Sequence, residues 1–85
     1  MTSDQRNEYR LSLLKDLYDE HFKHGGSAIT VKVEKDGKID QELVTALQYL
    51  DDKRLLDSKI LHRGAYQARI TAYGIDLIET GGNLR

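Results

Sequence analysis

Between Asp4 and Lys23, apolar side chains recur at Leu11, Leu14, Leu17, Tyr18 and Phe22, with Tyr9 and Leu13 beside them. That spacing follows the 3.6-residue turn and predicts a first helix. Ser3 or Asp4 is placed to cap its start, because either side chain can accept from the unpaired N–H groups of the first turn. Lys23 and His24 fall in the last turn, where cations suit the negative end of the helix dipole. Gly25 or Gly26 then supplies the left-handed residue that closes the helix. The period changes next. Ile29, Val31 and Val33 alternate with Thr30, Lys32 and Glu34, the pattern of a strand with one buried face. "KDG" at 35–37 signals a turn, since Asp and Gly tolerate positive φ.

A second helix is predicted over "QELVTALQYLDDKR", with Asp40 as its N-cap. Leu43, Val44, Leu47 and Leu50 form its apolar stripe, and Gln41, Thr45, Gln48 and Asp52 line the opposite face. Leu55 and Leu56 leave it with no glycine to mark its end. Leu56, Ser58, Ile60 and His62 then share one face of a strand, with Leu55, Asp57, Lys59 and Leu61 on the other. "RGAY" at 63–66 reads as the turn, and Tyr66, Ala68 and Ile70 alternate with Gln67 and Arg69 in the return strand. Thr71 caps a short last helix carrying Tyr73, Leu77 and Ile78, which "GG" at 81–82 ends. The predicted order is helix, strand, helix, strand, strand, helix. It belongs to a single α+β domain of 85 residues. A chain of that length buries roughly 60–65% of its unfolded surface around one core.

Composition narrows the function classes. Apolar residues make up 39% and charged residues 32%, the balance of a globular chain rather than a disordered one. The absence of cysteine excludes a disulfide framework and any thiolate metal site. No apolar run approaches the ~18 residues that cross a bilayer, and the first ten residues are too polar for a signal peptide. The expectation is a cytoplasmic domain that does not engage a membrane. The formal charge of −1 and pI near 6.3 lack the basic excess that usually supplies a nucleic-acid binder's affinity.

"LVTALQYLDDKRLLDSKIL" followed by "ARITAYGIDLIE" resembles a winged-helix domain. It has a helix, a strand, a wing turn, a return strand and a Thr-x-x-Gly opening to the closing helix, here Thr71, Ala72, Tyr73 and Gly74. Bacterial regulators of the PadR and MarR kinds share that layout. The small YjcQ-like proteins of bacteria and phages are similar in size. The likeness spans about residues 8–80 and rests on packing motifs rather than catalytic ones. It implies three helices with a small three-stranded antiparallel sheet, the hairpin as wing and the last helix packed on the first. It further implies double-stranded DNA as partner and a homodimer formed through the first or last helix. One feature departs from it. A standard winged helix places two helices between the first strand and the wing, whereas Val33 to Leu55 has room for one helix and a turn. Either a short element lies within "EKDGKID" or that helix, which helps seat the recognition helix on the DNA backbone, is lost.

The resemblance makes the second helix the recognition helix, with Gln41, Glu42, Thr45, Gln48, Tyr49 and Lys53 facing outward. Gln bonds adenine edges, Thr reaches bases or phosphates, and Tyr touches phosphate or sugar. Against this, Asp40, Glu42, Asp51 and Asp52 oppose Lys53 and Arg54 in that segment, so a solvated polar face is the competing reading. Lys59, His62, Arg63 and Arg69 gather around the hairpin with Asp57 as the nearby acid, and Arg63 suits a minor groove. Ordinary edge-strand charge, which blunts aggregation, reads the same residues differently. His62 also shares a face with Ile60 and can pack on the sheet. His21 and His24 have metal-ligand spacing, but a site needs three or four ligands, and a role at the helix end fits better. Asp51 and Asp52 diverge around their helix and make a poor acid–base pair. No phosphate loop, nucleophile elbow or general base is visible, so no catalytic residue, metal or cofactor is expected. Two functions remain: a DNA-binding regulator, or a protein–protein interaction module on the same scaffold.

Overall fold

The computed structural model describes residues 1–82 and 84. Its elements run α1 (Ser3–Lys23), β1 (Ile29–Lys32), β2 (Glu34–Lys35), β3 (Lys38–Ile39), α2 (Gln41–Asp52), β4 (Leu56–His62), β5 (Ala65–Ile70) and α3 (Ala72–Glu79). Three helices and a three-stranded antiparallel sheet therefore occur in the predicted order, with one addition. The "EKDGKI" segment is a two-stranded hairpin, β2 against β3, and contains no helix. Asp36 and Gly37 take φ values of 55° and 76°, the left-handed pair that closes a two-residue hairpin.

In the main sheet the strand order is β1-β5-β4. Ile29 pairs with Ala68 and Lys32 with Ala65 on one side of β5; Leu56 pairs with Ile70 and Ile60 with Tyr66 on the other. The register shifts between Ile60 and His62, a bulge at Leu61. Ala65 and Tyr66 are already paired, so the β4–β5 turn is Arg63–Gly64 and is shorter than "RGAY" suggests. One face of the sheet carries the helices: α1 lies against β5, α2 against β4, and α3 against α1 and β5. The core between them is Leu14 and Leu17 of α1, Ala46, Leu47 and Leu50 of α2, and Val33, Leu56, Ala68 and Ile70. Leu14, Leu47, Leu50 and Leu56 are each 0% exposed. The heptad-like spacing of α1 and α2 thus turns one stripe of each helix into the same apolar layer.

Thr2 rather than Ser3 or Asp4 caps α1. Its hydroxyl accepts from Gln5 N at 3.2 Å while the Gln5 amide accepts from Thr2 N at 2.9 Å, a closed capping box. Asp40 caps α2 as predicted, accepting from Leu43 N. Helix α2 ends earlier than expected, at Asp52, and the reason is Arg54. With φ at 65°, Arg54 donates its N–H to Asp51 O and lets Leu55 donate to Leu50 O, the paired bonds of a Schellman ending. A glycine normally stands there.

Leu55 and Thr71 tie this corner to α3. Thr71 N donates to Leu55 O, and Thr71 Oγ1 donates to Arg54 O at 2.6 Å while accepting from Gly74 N. Gly74 is buried, and a Cβ placed on it would run into the Leu55 carbonyl oxygen and approach Ile70 Cγ1 within 2.6 Å. The Thr-x-x-Gly opening is thereby a packing requirement: a cap three residues ahead of a position with no room for a side chain. Two stability changes of opposite sign follow, both readable by thermal or denaturant unfolding. Gly74→Ala forces backbone apart in the core and is expected to cost about 3 kcal/mol or more. Arg54→Gly relieves a left-handed non-glycine residue and is expected to stabilise by about 1 kcal/mol, after the extra freedom glycine gives the unfolded chain.

Candidate nucleic-acid interface

The nine residues predicted for recognition do not form one patch. They fall into three places. Gln41, Thr45 and Gln48, together with Asp52, are all exposed on α2, one stripe at helical spacing. Thr45 Oγ1 donates to the Gln41 and Glu42 carbonyls at 2.9 and 3.2 Å, so its hydroxyl is bonded within the helix. Tyr49 and Lys53 lie to one side, towards α1. There the Arg10 guanidinium sits 3.7 Å from the centroid of the half-buried Tyr49 ring, with Lys53 Nζ at 5.8 Å, a cation–π stack. Tyr49 is therefore a packed residue with a cation over its face.

At the hairpin, only His62 and Arg63 occupy the tip. His62 Nδ1 accepts from Gly64 N at 3.2 Å, so this ring nitrogen shapes the turn. Arg63 is exposed. Lys59 and Arg69 stand further down, on the sheet face away from the helices, opposite Gln67 and Asp57 respectively. Arg69 Nε donates to Gly26 O at 3.1 Å, which pins the loop between α1 and β1. That bond gives Arg69 a structural task.

The acidic character of α2 also looks different in three dimensions. Asp40 is spent on the helix N-terminus. Glu42 lies 3.8 Å from Arg6 of α1. Asp51 Oδ2 accepts from both Ser58 N at 3.0 Å and Ser58 Oγ at 2.8 Å, binding α2 to β4. Among the described residues, Asp52 is the one carboxylate of the four without a partner. Arg6 and Arg10, which sequence reading did not single out, line a cleft of about 330 Å³ with Tyr9, Gln41 and Thr45. The field there is mixed: partial burial, and then the Asp40 and Glu42 carboxylates, push the Tyr9 phenol above its ordinary value.

No protein-family model, curated protein or solved structure matches this chain.

Backbone bonds join the β4–β5 turn to the start of α2. Val33 N and Glu34 N both donate to Gly64 O, at 2.9 and 3.2 Å, and Asp40 N donates to Val33 O at 2.7 Å. The β4–β5 turn, the base of the β2–β3 hairpin and the first turn of α2 are thus neighbours through one residue. Helix α1 lies along the far flank of α2. His24 Nε2 bonds Glu20 Oε2 at 2.9 Å, and among the described residues no three potential metal ligands cluster. No described helix is long and apolar enough to cross a membrane.

The Asp51–Ser58 contact had no sequence signal, yet it closes the outer edge of the sheet. β4 is an edge strand, and the Ser58 amide would otherwise face water or another chain. Asp51→Ala is expected to cost about 2 kcal/mol, since a charged acceptor of two bonds is lost. Ser58→Ala should cost less, and the double variant should cost clearly less than the two single losses added, a coupling that a double-mutant cycle by denaturant unfolding measures.

Proposed function

We propose that this chain is a winged-helix domain that binds double-stranded DNA through non-covalent recognition, as a small regulator would, with α2 directed to the major groove and the β4–β5 hairpin to the backbone or minor groove. The observation that carries this reading is the shared placement of the Gln41–Thr45–Gln48 stripe and the Arg63 turn, linked through Gly64, Val33 and Asp40. From Gln41 to Gln48 the stripe rises about 10 Å at 1.5 Å per residue, some three base-pair steps at about 3.4 Å each. Its residue types suit base edges: an amide at each end and a threonine methyl between them. Of the four α2-region carboxylates, Glu42 is offset by Arg6 at 3.8 Å, while Asp40 and Asp51 accept from neutral N–H and O–H donors. Arg10 and Lys53 flank the stripe on the α1 side. The domain works by binding rather than catalysis in this reading, and two copies paired through α1 or α3 would present two such stripes to a pseudo-palindromic site.

One observation favours a second reading. Ile60 is 65% and Leu61 47% exposed on the hairpin, two adjacent large apolar residues on an edge strand. A protein-interaction module on the same scaffold would use them as its contact.

Duplex binding at ~50 and ~200 mM salt separates the two. Each phosphate contact adds about 0.9 to the salt slope, so four contacts weaken binding roughly 150-fold across that range. Arg63→Ala is expected to lower the slope by about one unit. Gln48→Ala should leave the slope intact and reduce discrimination for a site selected from random sequence by roughly 5- to 100-fold. Absence of binding at tens of micromolar in low salt sinks the DNA reading. The same protein should then lose a partner, and not its fold, on Ile60→Ser with Leu61→Ser.

A further inference from the structure

We infer that the β2–β3 hairpin is a second polyanion-binding tip, and that Lys35 and Lys38 bind the phosphate backbone of the same duplex that α2 and the wing engage. The inference rests on the DNA reading above and adds a surface to it. Lys35 and Lys38 are directly opposed across the two-stranded hairpin. Like charges in that arrangement repel and weaken a strand pair. Neither ammonium has a carboxylate within ion-pair distance among the described residues, and both side chains are exposed. The fold thus holds two cations side by side, and neither is in an ion pair among the described residues. Opposed Cα atoms lie about 4.5–5.5 Å apart in an antiparallel pair, so two flexible lysines there can converge on one phosphate or on neighbouring ones.

Placement gives this pair its partner. The hairpin base is fixed to the wing turn by the two bonds on Gly64 O and to the start of α2 by the Asp40–Val33 bond. The Glu34 side chain lies against Gly64, where an added Cβ would come within 2.9 Å of Oε2. The spacing between the two turns is therefore set by backbone and packing. Lys32 pairs with Ala65 beside the wing turn, so Lys32, Lys35, Lys38 and Arg63 all belong to one end of the molecule. The acids at that end are Glu34, tucked on Gly64, Asp40, capping α2, Asp36 in the turn itself, and Glu42 in the first turn of α2, 3.8 Å from Arg6. Four cations and four carboxylates thus share that end, and the opposed pair Lys35 and Lys38 stands exposed at its tip. The hairpin stands between β1 and the start of α2 in the chain.

Lys35→Gln with Lys38→Gln tests this, with Lys15→Gln and Lys23→Gln on α1 as a control that removes equal charge elsewhere. Binding to mixed-sequence duplex is measured at ~50 and ~200 mM salt. Two lost phosphate contacts lower the salt slope by about 1.8, so the weakening between those concentrations should shrink roughly 12-fold. The control pair should keep the wild-type slope. Thermal unfolding of the hairpin variant should match or exceed wild type, because the opposed charges are gone. An unchanged slope in the hairpin variant, while wild type binds and Arg63→Ala lowers it, overturns this inference and spares the DNA reading. An equal fall in the control assigns the effect to net charge and also overturns it. A wild type that does not bind duplex at all overturns both.

Discussion

The backbone of Val33 is the hinge on which the arrangement depends. Its side chain is 1% exposed, fixed in the layer between helices and sheet. Its N–H reaches the wing turn at Gly64, and its carbonyl receives the N–H of Asp40. Three segments that are separate in sequence meet there: the end of the first strand, the tip of the β4–β5 hairpin and the N-cap of α2. Buried backbone groups must find partners, and at Val33 both partners lie at the start of a candidate recognition surface. Packing one valine therefore also sets the distance between two turns and a helix.

Electrostatics follows the same logic. Taken along the chain, α2 looks too acidic to approach phosphate. Within the fold, three of its four carboxylates have local partners, Asp40 a helix-end N–H, Asp51 the Ser58 N–H and hydroxyl, and Glu42 the Arg6 cation. Arg69, by contrast, is drawn away from any ligand by the Gly26 carbonyl. Formal charge counts all of these groups equally. The potential a partner meets depends on the kind of partner each group has, since a nearby cation offsets a carboxylate's charge and a neutral donor does not.

Much of the architecture was legible because it rests on period and local chemistry. The stripes of α1 and α2, the Asp40 and Thr71 caps, the "KDG" turn and the three alternating strands all report on neighbours within a few residues. Three features were illegible for definite reasons. Strands of two residues, as in β2 and β3, carry no period to detect. Arg54 adopts a left-handed angle that its residue type does not announce, so the α2 end was set too late. Thr2, Ser3 and Asp4 are all competent caps, and geometry alone decides for Thr2. The candidate site was less legible still. Its stripe, Gln41, Thr45 and Gln48, came from helical spacing, but the Arg10–Tyr49 stack and the Asp51–Ser58 bonds join separate elements. Grouping Arg69 with Arg63 followed sequence proximity, and the strand separates them.

The sheet order has a consequence for how the molecule assembles. β4 and β5 are joined by a two-residue turn, and such a hairpin closes in about 1–10 μs. β1 must reach β5 from the other side of the whole second helix, pairing Ile29 with Ala68, and long-range closures of this kind come late and slowly. The Gly64 carbonyl finds its two amides only when that last strand docks. Detachment of β1 would release the wing turn and the β2–β3 hairpin from each other in the same event, so their mutual spacing is a property of the complete native state and of no partly folded form.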